Sequence, residues 1–523
     1  MSRASAPALE HEESILVVDF GAQYAQLIAR RLRELHVYCE IHPPQRAYEA
    51  AQRLRPRGVI LSGGPASVYA ANAPVLDRRI LELGVPFLGI CYGMQWLCES
   101  LGGKVEPADV HEYGRASMTL EREDALVAGL SSPTQIWMSH GDRVVRLPEG
   151  AVPLGTTESC PLAAMAIPAR KLYGVQFHPE VTHTVEGKLL LANFVRHVCG
   201  CAGNWRMGSF VDLEIERLRK QIGETGEVIL GLSGGVDSSV VACLLHRAIG
   251  ERLHCIFVDN GLLRAGERES VEEVFRGHFQ MDLTVVDASE RFLSKLAGVD
   301  DPEKKRKIIG YEFVEVFRAE AKRFRNARFL GQGTLYPDVI ESVAVHGGPT
   351  ATIKSHHNVG GLPKDLELEL VEPLRELFKD EVRELGVILG MPEEMVRRQP
   401  FPGPGLAVRV PGAIQRSHLE ALRAADKIVR QEIEAAGWQK HLWQYFAVFL
   451  PVRSVGVMGD GRTYEHAVAV RLVESEDAMT ADWALPPKPV LDRISNRIIN
   501  EVDGINRVVL DISSKPPATI EWE

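Results

Sequence analysis

A cysteine between two glycines is the first place in this chain where chemistry suggests itself. Gly89-Ile90-Cys91-Tyr92-Gly93 follows an apolar run at 85–90 and precedes a helical pattern at 94–101. That strand–turn–helix context is a nucleophile elbow, in which small residues permit a sharp turn that exposes the central side chain. Free N–H groups and the dipole at a helix N-terminus favour a thiolate there. The bland alternative is a buried thiol acting as a small hydrophobe, which is the reading for Cys39, Cys98, Cys243 and Cys255. A base separates Cys91 from these. His178-Pro179-Glu180 follows the strand-like run at 173–177, and an extended His-x-Glu lets Glu180 orient His178 while His178 takes the thiol proton. Gly63-Gly64, in an obligatory turn, and the N–H of Tyr92 are candidate oxyanion donors.

A second constellation lies at Leu232-Ser233-Gly234-Gly235-Val236-Asp237-Ser238-Ser239. It follows one buried strand and opens a helix, so its small residues let the backbone approach an anion that helix N–H groups then cradle. The Gly-Lys-Ser/Thr ending of a Walker loop is missing. Asp237 cannot bind a phosphate directly, because two anions repel. A magnesium ion between them removes the conflict, which makes Asp237 the candidate metal ligand. Cations are expected from Lys304-Lys305-Arg306-Lys307 and from Lys354, just before His356-His357. Asp338 and Glu341, after Gly331-Gln332-Gly333, add acidic groups.

The elements that must position these groups alternate. Apolar runs at 14–19, 58–61 and 85–90 and a helical pattern at 23–35 imply parallel βαβ units, with shorter strands after Pro107 and a closing helix near 189–198. A second α/β pattern opens with a strand at 228–232 and a helix at 238–248, and continues with strands at 253–258, 283–286 and 328–330. Beyond the Pro/Gly-rich stretch Pro400 to Gly405, a helix at 419–434 and β-like runs at 447–457, 466–473 and 508–512 read as α+β. The expected architecture is α/β, with two doubly wound parallel-sheet domains (13–203 and 204–398) followed by a smaller α+β domain (399–523).

The bulk numbers narrow the partners. A net charge of -10 and a pI near 6.0 argue against a nucleic-acid partner, which needs a basic surface. No apolar run approaches the roughly 18 residues that span a bilayer, and the polar N-terminal stretch 1–14 reads as a tail without a signal-peptide core. Eight scattered cysteines suggest reduced thiols and a cytoplasmic location. Cys199 and Cys201 lack a second pair at zinc-finger spacing, so no metal site is read there.

Gly-Ile-Cys-Tyr-Gly, Ser-Gly-Gly-Pro and Gln-Phe-His-Pro-Glu together resemble the class I glutamine amidotransferases over about the first 200 residues. That resemblance implies a glutamyl thioester on Cys91 and release of ammonia, with Gln95 and the Ser139-His140-Gly141-Asp142 loop holding glutamine. The second loop resembles those of enzymes that split ATP between its α and β phosphates. Fused in one chain, the two resemble the GMP synthetase family, as do Asp-Pro-Glu-Lys-Lys-Arg-Lys at 301–307, Gln-Gly-Thr-Leu-Tyr-Pro-Asp at 332–338, Lys-Ser-His-His-Asn-Val-Gly-Gly at 354–361 and the C-terminal Lys-Pro-Pro-Ala-Thr-Ile-Glu-Trp-Glu. The family resemblance implies that residues 233–239, Val258 and Lys354 bind ATP. It further implies that Gln444, Arg507, Lys515, Ile520 and Glu521 complete a pocket for XMP in a domain that forms a homodimer. Two rivals are another amidating enzyme, such as an NAD or asparagine synthetase, and a nucleotide or glutamine sensor that keeps these motifs without turnover. The C-terminal motifs argue against the first. Intact Cys91, His178 and Asp237 argue against the second.

Overall fold

The computed structural model describes residues 11–22, 24–344, 368–458, 461–475 and 480–523. Lys354, the 354–361 motif and the first ten residues of the expected N-terminal tail lie outside them. The chain forms two compact units. One reaches Leu213 and takes in the segment from Pro337; the other runs from Glu214 to Tyr336 and on to Glu523.

The first unit is built on a nine-stranded sheet. Its strands are β1 (Ser14–Val18), β2 (Tyr38–His42), β3 (Gly58–Leu61), β4 (Phe87–Ile90), β5 (Lys104–Leu120), β6 (Thr134–Arg146), β7 (Val152–Thr156), β8 (Ala164–Ile167) and β9 (Leu172–Val175), in the order β2-β1-β3-β4-β9-β8-β7-β5-β6. The first five in that order are parallel and buried on both faces, which is why they read as continuous apolar runs. Of the strands after Pro107, β7, β8 and β9 are short, as expected, but β5 and β6 are longer, at 17 and 13 residues. β5 and β6 pair antiparallel over most of their length, with the register shifting between Pro107 and Glu112. Alternation of buried and exposed residues along β6 explains why no continuous apolar run marks it in the sequence. The closing helix starts at Gly187 and passes into a π-helical turn, Phe194–Val198.

In the second unit a five-stranded parallel sheet comprises β10 (Glu227–Gly231), β11 (Leu253–Asp259), β12 (Asp282–Asp287), β13 (Ala327–Gly331) and β14 (Glu369–Val371), ordered β12-β11-β10-β13-β14. β10 lies centrally, where successive strands fall on opposite sides, and such a switch point opens a crevice at the strand's C-terminal end. A C-terminal sheet follows: β15 (Gln444–Met458), β16 (Gly461–Glu474), β17 (Asp482–Trp483) and β18 (Ile505–Asp511), with β15–β16 antiparallel and β18 parallel to β16. The last strand is only half-buried, with Val509 partly open to solvent. One apolar core joins the two sheets. Ile229 and Ile256 of the parallel sheet belong to the same cluster as Leu419, Phe449, Val468 and Ile494.

The 20-residue helix Pro302–Ala321 is not among the expected elements. The Asp301 side chain accepts the N–H of Lys304 at 2.7 Å and Pro302 occupies the first turn, a helix start that the Asp-Pro dipeptide spells out. Among the described residues no helix is long and apolar enough to cross a membrane. All eight cysteines are unpaired and buried.

Candidate functional site

β4 delivers Cys91 and a helix, Tyr92–Ser100, leaves from it. The turn is sharp enough to hold Cys91 at φ +50°, a conformation that costs a non-glycine residue on the order of 1–3 kcal/mol. Sterics explain both glycines. A Cβ on Gly89 would lie 2.5 Å from the Gly93 backbone, and one on Gly93 would lie 2.3 Å from the Leu61 carbonyl oxygen. Instead the Gly93 N–H donates to the Ser62 carbonyl at 3.0 Å, and the Cys91 N–H to the Val175 carbonyl at 2.7 Å. The elbow is thereby fastened to β3 and β9.

His178 stands three residues beyond β9, not at its last residue. Its N–H donates to the Trp137 carbonyl at 3.0 Å, and the Thr184 hydroxyl donates to its carbonyl at 2.6 Å. Nδ1 of His178 meets Oε1 of Glu180 at 2.7 Å, with both side chains buried. Burial lowers the imidazole's proton affinity, but the Glu180 carboxylate and the hydrogen bond to Cys91 outweigh it and push His178 up to about 10. Gly63 lies beside both the Cys91 and His178 side chains: a Cβ there would lie 3.1 Å from the His178 ring and 3.8 Å from Cβ of Cys91. Gly64 abuts the Phe20 carbonyl, and Tyr92, as first residue of its helix, has an N–H with no acceptor inside that helix.

Ser139 to Asp142 belong to β6 and not to a loop. The Ser139 carbonyl faces the Cys91 thiol at 3.7 Å. Gln95, buried on the helix, donates to the Asp142 carbonyl at 3.0 Å and to Gln176 Oε1 at 3.3 Å. The Asp142 carboxylate accepts the Tyr69 hydroxyl at 2.7 Å. Gln176, whose amide lies 3.7 Å from the Cys91 sulfur, is a residue that sequence reasoning misses, although it opens the Gln-Phe-His-Pro-Glu motif. His140 bonds Glu112 at 2.9 Å, with Cys160 close by, bracing β6 against β5. Burial lowers the proton affinity of His140 despite that carboxylate.

In the second unit the Ser233–Ser239 segment leaves β10 and opens the helix Val236–Ile249. Gly234 adopts φ +74°, which favours glycine. The hydroxyls of Ser233 and Ser238 lie 2.9 Å apart, and those of Ser238 and Ser239 donate to the Gly235 carbonyl at 3.1 and 2.8 Å. Asp237 pairs with Lys379, while its Oδ1 is buried with no hydrogen-bond partner. Lys379 and Arg398, which donates to the Gly234 carbonyl at 3.1 Å, carry no motif of their own, so only the fold brings them to the loop. Val258 is buried in β11. Asp338 and Glu341 fall in the helix Tyr336–Ala344.

Lys305, expected among the phosphate cations, is engaged elsewhere in this structure. It is fully buried, donates to the Val410 carbonyl at 2.8 Å and pairs with Glu523, while Arg306 binds the Glu523 carbonyl. Glu521 accepts two hydrogen bonds from the buried Arg409, at 3.0 and 2.8 Å. Gln444 is buried and donates to the Pro400 carbonyl at 2.8 Å. Lys515 bridges Ala481 through its backbone, Ile520 packs with Phe446 and Val448, and Arg507 is exposed on β18. A cavity of about 590 Å³ runs between Asp511, Ser513, Thr519 and Trp522; of the five residues named for XMP, only Glu521 lines it.

Three family models match the chain: glutamine amidotransferase class-I over residues 16–198, NAD synthase over 212–287, and the GMP synthase C-terminal domain over 431–522. The NAD synthase match falls on the phosphate loop, the part that the amidating rivals share. Curated relatives match end to end. The glutamine-hydrolysing GMP synthase of Maridesulfovibrio salexigens is 57% identical over 98% of this chain and 100% of its own. Those of Brachyspira hyodysenteriae and Aquifex aeolicus are each 58% identical, over 98% and 97% of this chain and 99% of their own. A match of this extent, through both constellations and the C-terminal sheet, makes the chain a member of the glutamine-hydrolysing GMP synthase family.

Proposed function

We propose that the chain aminates XMP to GMP with ammonia from glutamine, splitting ATP to AMP and pyrophosphate. The observation that carries this reading is the presence, in one chain, of the Cys91–His178–Glu180 line and the anion-cradling loop 233–239. Cys91 attacks the glutamine carboxamide, the N–H groups of Gly64 and Tyr92 receive the oxyanion, and His178 protonates the leaving ammonia. Water then releases glutamate from the thioester. Gln95 and Asp142 hold the amino-acid end of glutamine. In the second unit the C2 oxygen of XMP attacks the α-phosphorus of ATP and pyrophosphate leaves. Ammonia next adds at C2 and AMP departs with that oxygen. Adenylation is needed because an oxide is too poor a leaving group.

Residues 233–239 and Val258 contact ATP, joined by Lys354 from the motif and Lys379 from the fold. Mg²⁺ fits this site, because the unpartnered Oδ1 of Asp237 is a hard oxygen donor beside a phosphate loop. When bound it neutralises the leaving pyrophosphate. Gln444, Arg507, Lys515, Ile520 and Glu521 contact XMP, aided by Arg264 and Arg409, whose buried guanidinium nitrogens include ones without hydrogen-bond partners. The three-domain division at 203/204 and 398/399 follows these tasks. Val455, Val457 and Tyr464 form an exposed apolar strip on the β15–β16 hairpin, which suits a homodimer in the cytoplasm.

Incubation of the purified protein with XMP, ATP and glutamine should yield GMP, AMP and pyrophosphate, with the C2 oxygen of XMP recovered in AMP. ADP and orthophosphate as products would overturn the reading of the loop. Cys91→Ala should abolish glutamine-dependent synthesis while synthesis from ammonium salt persists.

A further inference from the structure

Glu267 is a carboxylate that no step above uses, and the fold buries it almost completely. It begins the helix Glu267–Glu272, directly after a left-handed glycine. One oxygen pairs with the guanidinium of Arg398 and the other accepts the backbone N–H of Arg264 at 3.0 Å. Arg398 spends its second amino group on the Gly234 carbonyl, at 3.1 Å. Gly234 itself sits against this pair: a Cβ there would lie 3.7 Å from Nη1 of Arg398 and 3.9 Å from Oε1 of Glu267. In a trans peptide the carbonyl and the following N–H point opposite ways. Drawing the Gly234 carbonyl onto Arg398 therefore turns the Gly235 N–H to the other side, into the loop, where Ser233 Oγ accepts it at 3.3 Å.

The same clamp has a second arm. The guanidinium of Arg264, tied to Glu267 through its main chain, is buried 4.2 Å from the Phe401 ring centroid and 3.8 Å from Asp426. Asp426 lies 3.6 Å from Arg409, which holds Glu521. Ion pairs, joined at Arg264 by its backbone N–H, thus lead from the phosphate loop to the Glu521 carboxylate. Removing one member leaves its neighbour charged and dry, so a change at one end is costly at the next.

We propose that Glu267 and Arg398 are positioning residues that hold the phosphate loop in its anion-binding shape, and that through Arg264 and Asp426 they couple ATP at the loop to XMP at the tail. This rests on the functional reading above. Linkage makes the coupling reciprocal: ATP tightens XMP by the factor by which XMP tightens ATP.

The test uses the full-length protein, Glu267→Gln and Arg398→Lys, with ammonia-supported synthesis and XMP binding with and without a non-hydrolysable ATP analogue. In the unaltered protein the analogue should tighten XMP by at least about fivefold. Glu267→Gln should raise the KM for ATP by more than about tenfold, the scale of a broken buried pair, and bring the coupling factor close to one. Glutamine hydrolysis should be unchanged, and the second unit should still unfold in its own cooperative transition, which a general loss of its structure would not allow. Should Glu267→Gln fail to fold, Arg398→Lys keeps the charge beside Glu267 but cannot also reach Gly234, and it should lose the coupling too. GMP synthesis with ATP kinetics and coupling unaltered in a folded variant would overturn the clamp alone. Absence of GMP from the unaltered protein would overturn both the clamp and the functional reading beneath it.

Discussion

His178 carries the clearest electrostatic consequence. Its ordinary pKa is about 6.5, and Glu180 and Cys91 outweigh burial to raise it to about 10. A raised pKa means that the folded state holds the proton more tightly than the unfolded chain. The stabilisation is therefore complete below about pH 6.5 and fades as pH climbs through about 10. Glu180→Gln keeps the shape but removes the countercharge, so the imidazolium should lose its proton at lower pH. The alkaline limb of the glutaminase profile should shift downward, and kcat should fall on the order of 10²-fold or more. An unshifted limb in a folded variant would mean that Glu180 does not set the base. Asp237→Ala should separate the units the other way: glutamine hydrolysis persists while AMP formation falls by orders of magnitude. Equal loss of both activities would argue against the division.

At the level of elements, the elbow is a steric device more than a chemical one. The helix Tyr92–Ser100 can start where it does only because nothing projects from Gly93 towards the Leu61 carbonyl. Gly93→Ala should displace the helix start and with it the Cys91 sulfur. Glutamine hydrolysis should fall by at least about a hundredfold, as misplacements near 1 Å can cause, while ammonia-dependent synthesis is retained. Wild-type glutaminase kinetics in Gly93→Ala would show that the turn has slack. This element is legible in the sequence because its causes are local: an apolar run, two glycines and a helix pattern follow one another directly. β6 is not, since buried residues alternate along it with partly or fully exposed ones and its partner, β5, pairs with it in a bulged register.

For the molecule as a whole, the C-terminus is a structural closure and not a frayed end. Glu523 pairs with the buried Lys305 and accepts the Gly412 N–H at 3.0 Å, and Glu521 holds Arg409. Deleting 516–523 would leave Lys305 and Arg409 charged and without these partners in the core, a penalty of about 3–5 kcal/mol for each broken buried pair. The truncated protein should lose XMP-dependent synthesis and melt earlier in its second unit, with glutamine hydrolysis preserved. An unchanged XMP response would show that the tail is not part of the nucleotide site.

Sequence alone pointed to the candidate reacting groups. Cys91, His178, Glu180 and residues 233–239 follow short apolar strands, at their ends or a few residues beyond, and in parallel sheets that is where side chains and helix N-termini converge. Family motifs extended that reading to nearly every residue of the chain. What only the tertiary structure decided is which charges are free to act. Lys305, in a run that reads as a solvated or phosphate-binding face, is consumed by Glu523, 218 residues further along the chain. Lys379 and Arg398, unremarkable in sequence, arrive at the phosphate loop. The physical reason is range: strand, turn and cap preferences act over a few neighbouring residues, whereas an ion pair is defined by burial and distance that the chain acquires only once it has folded.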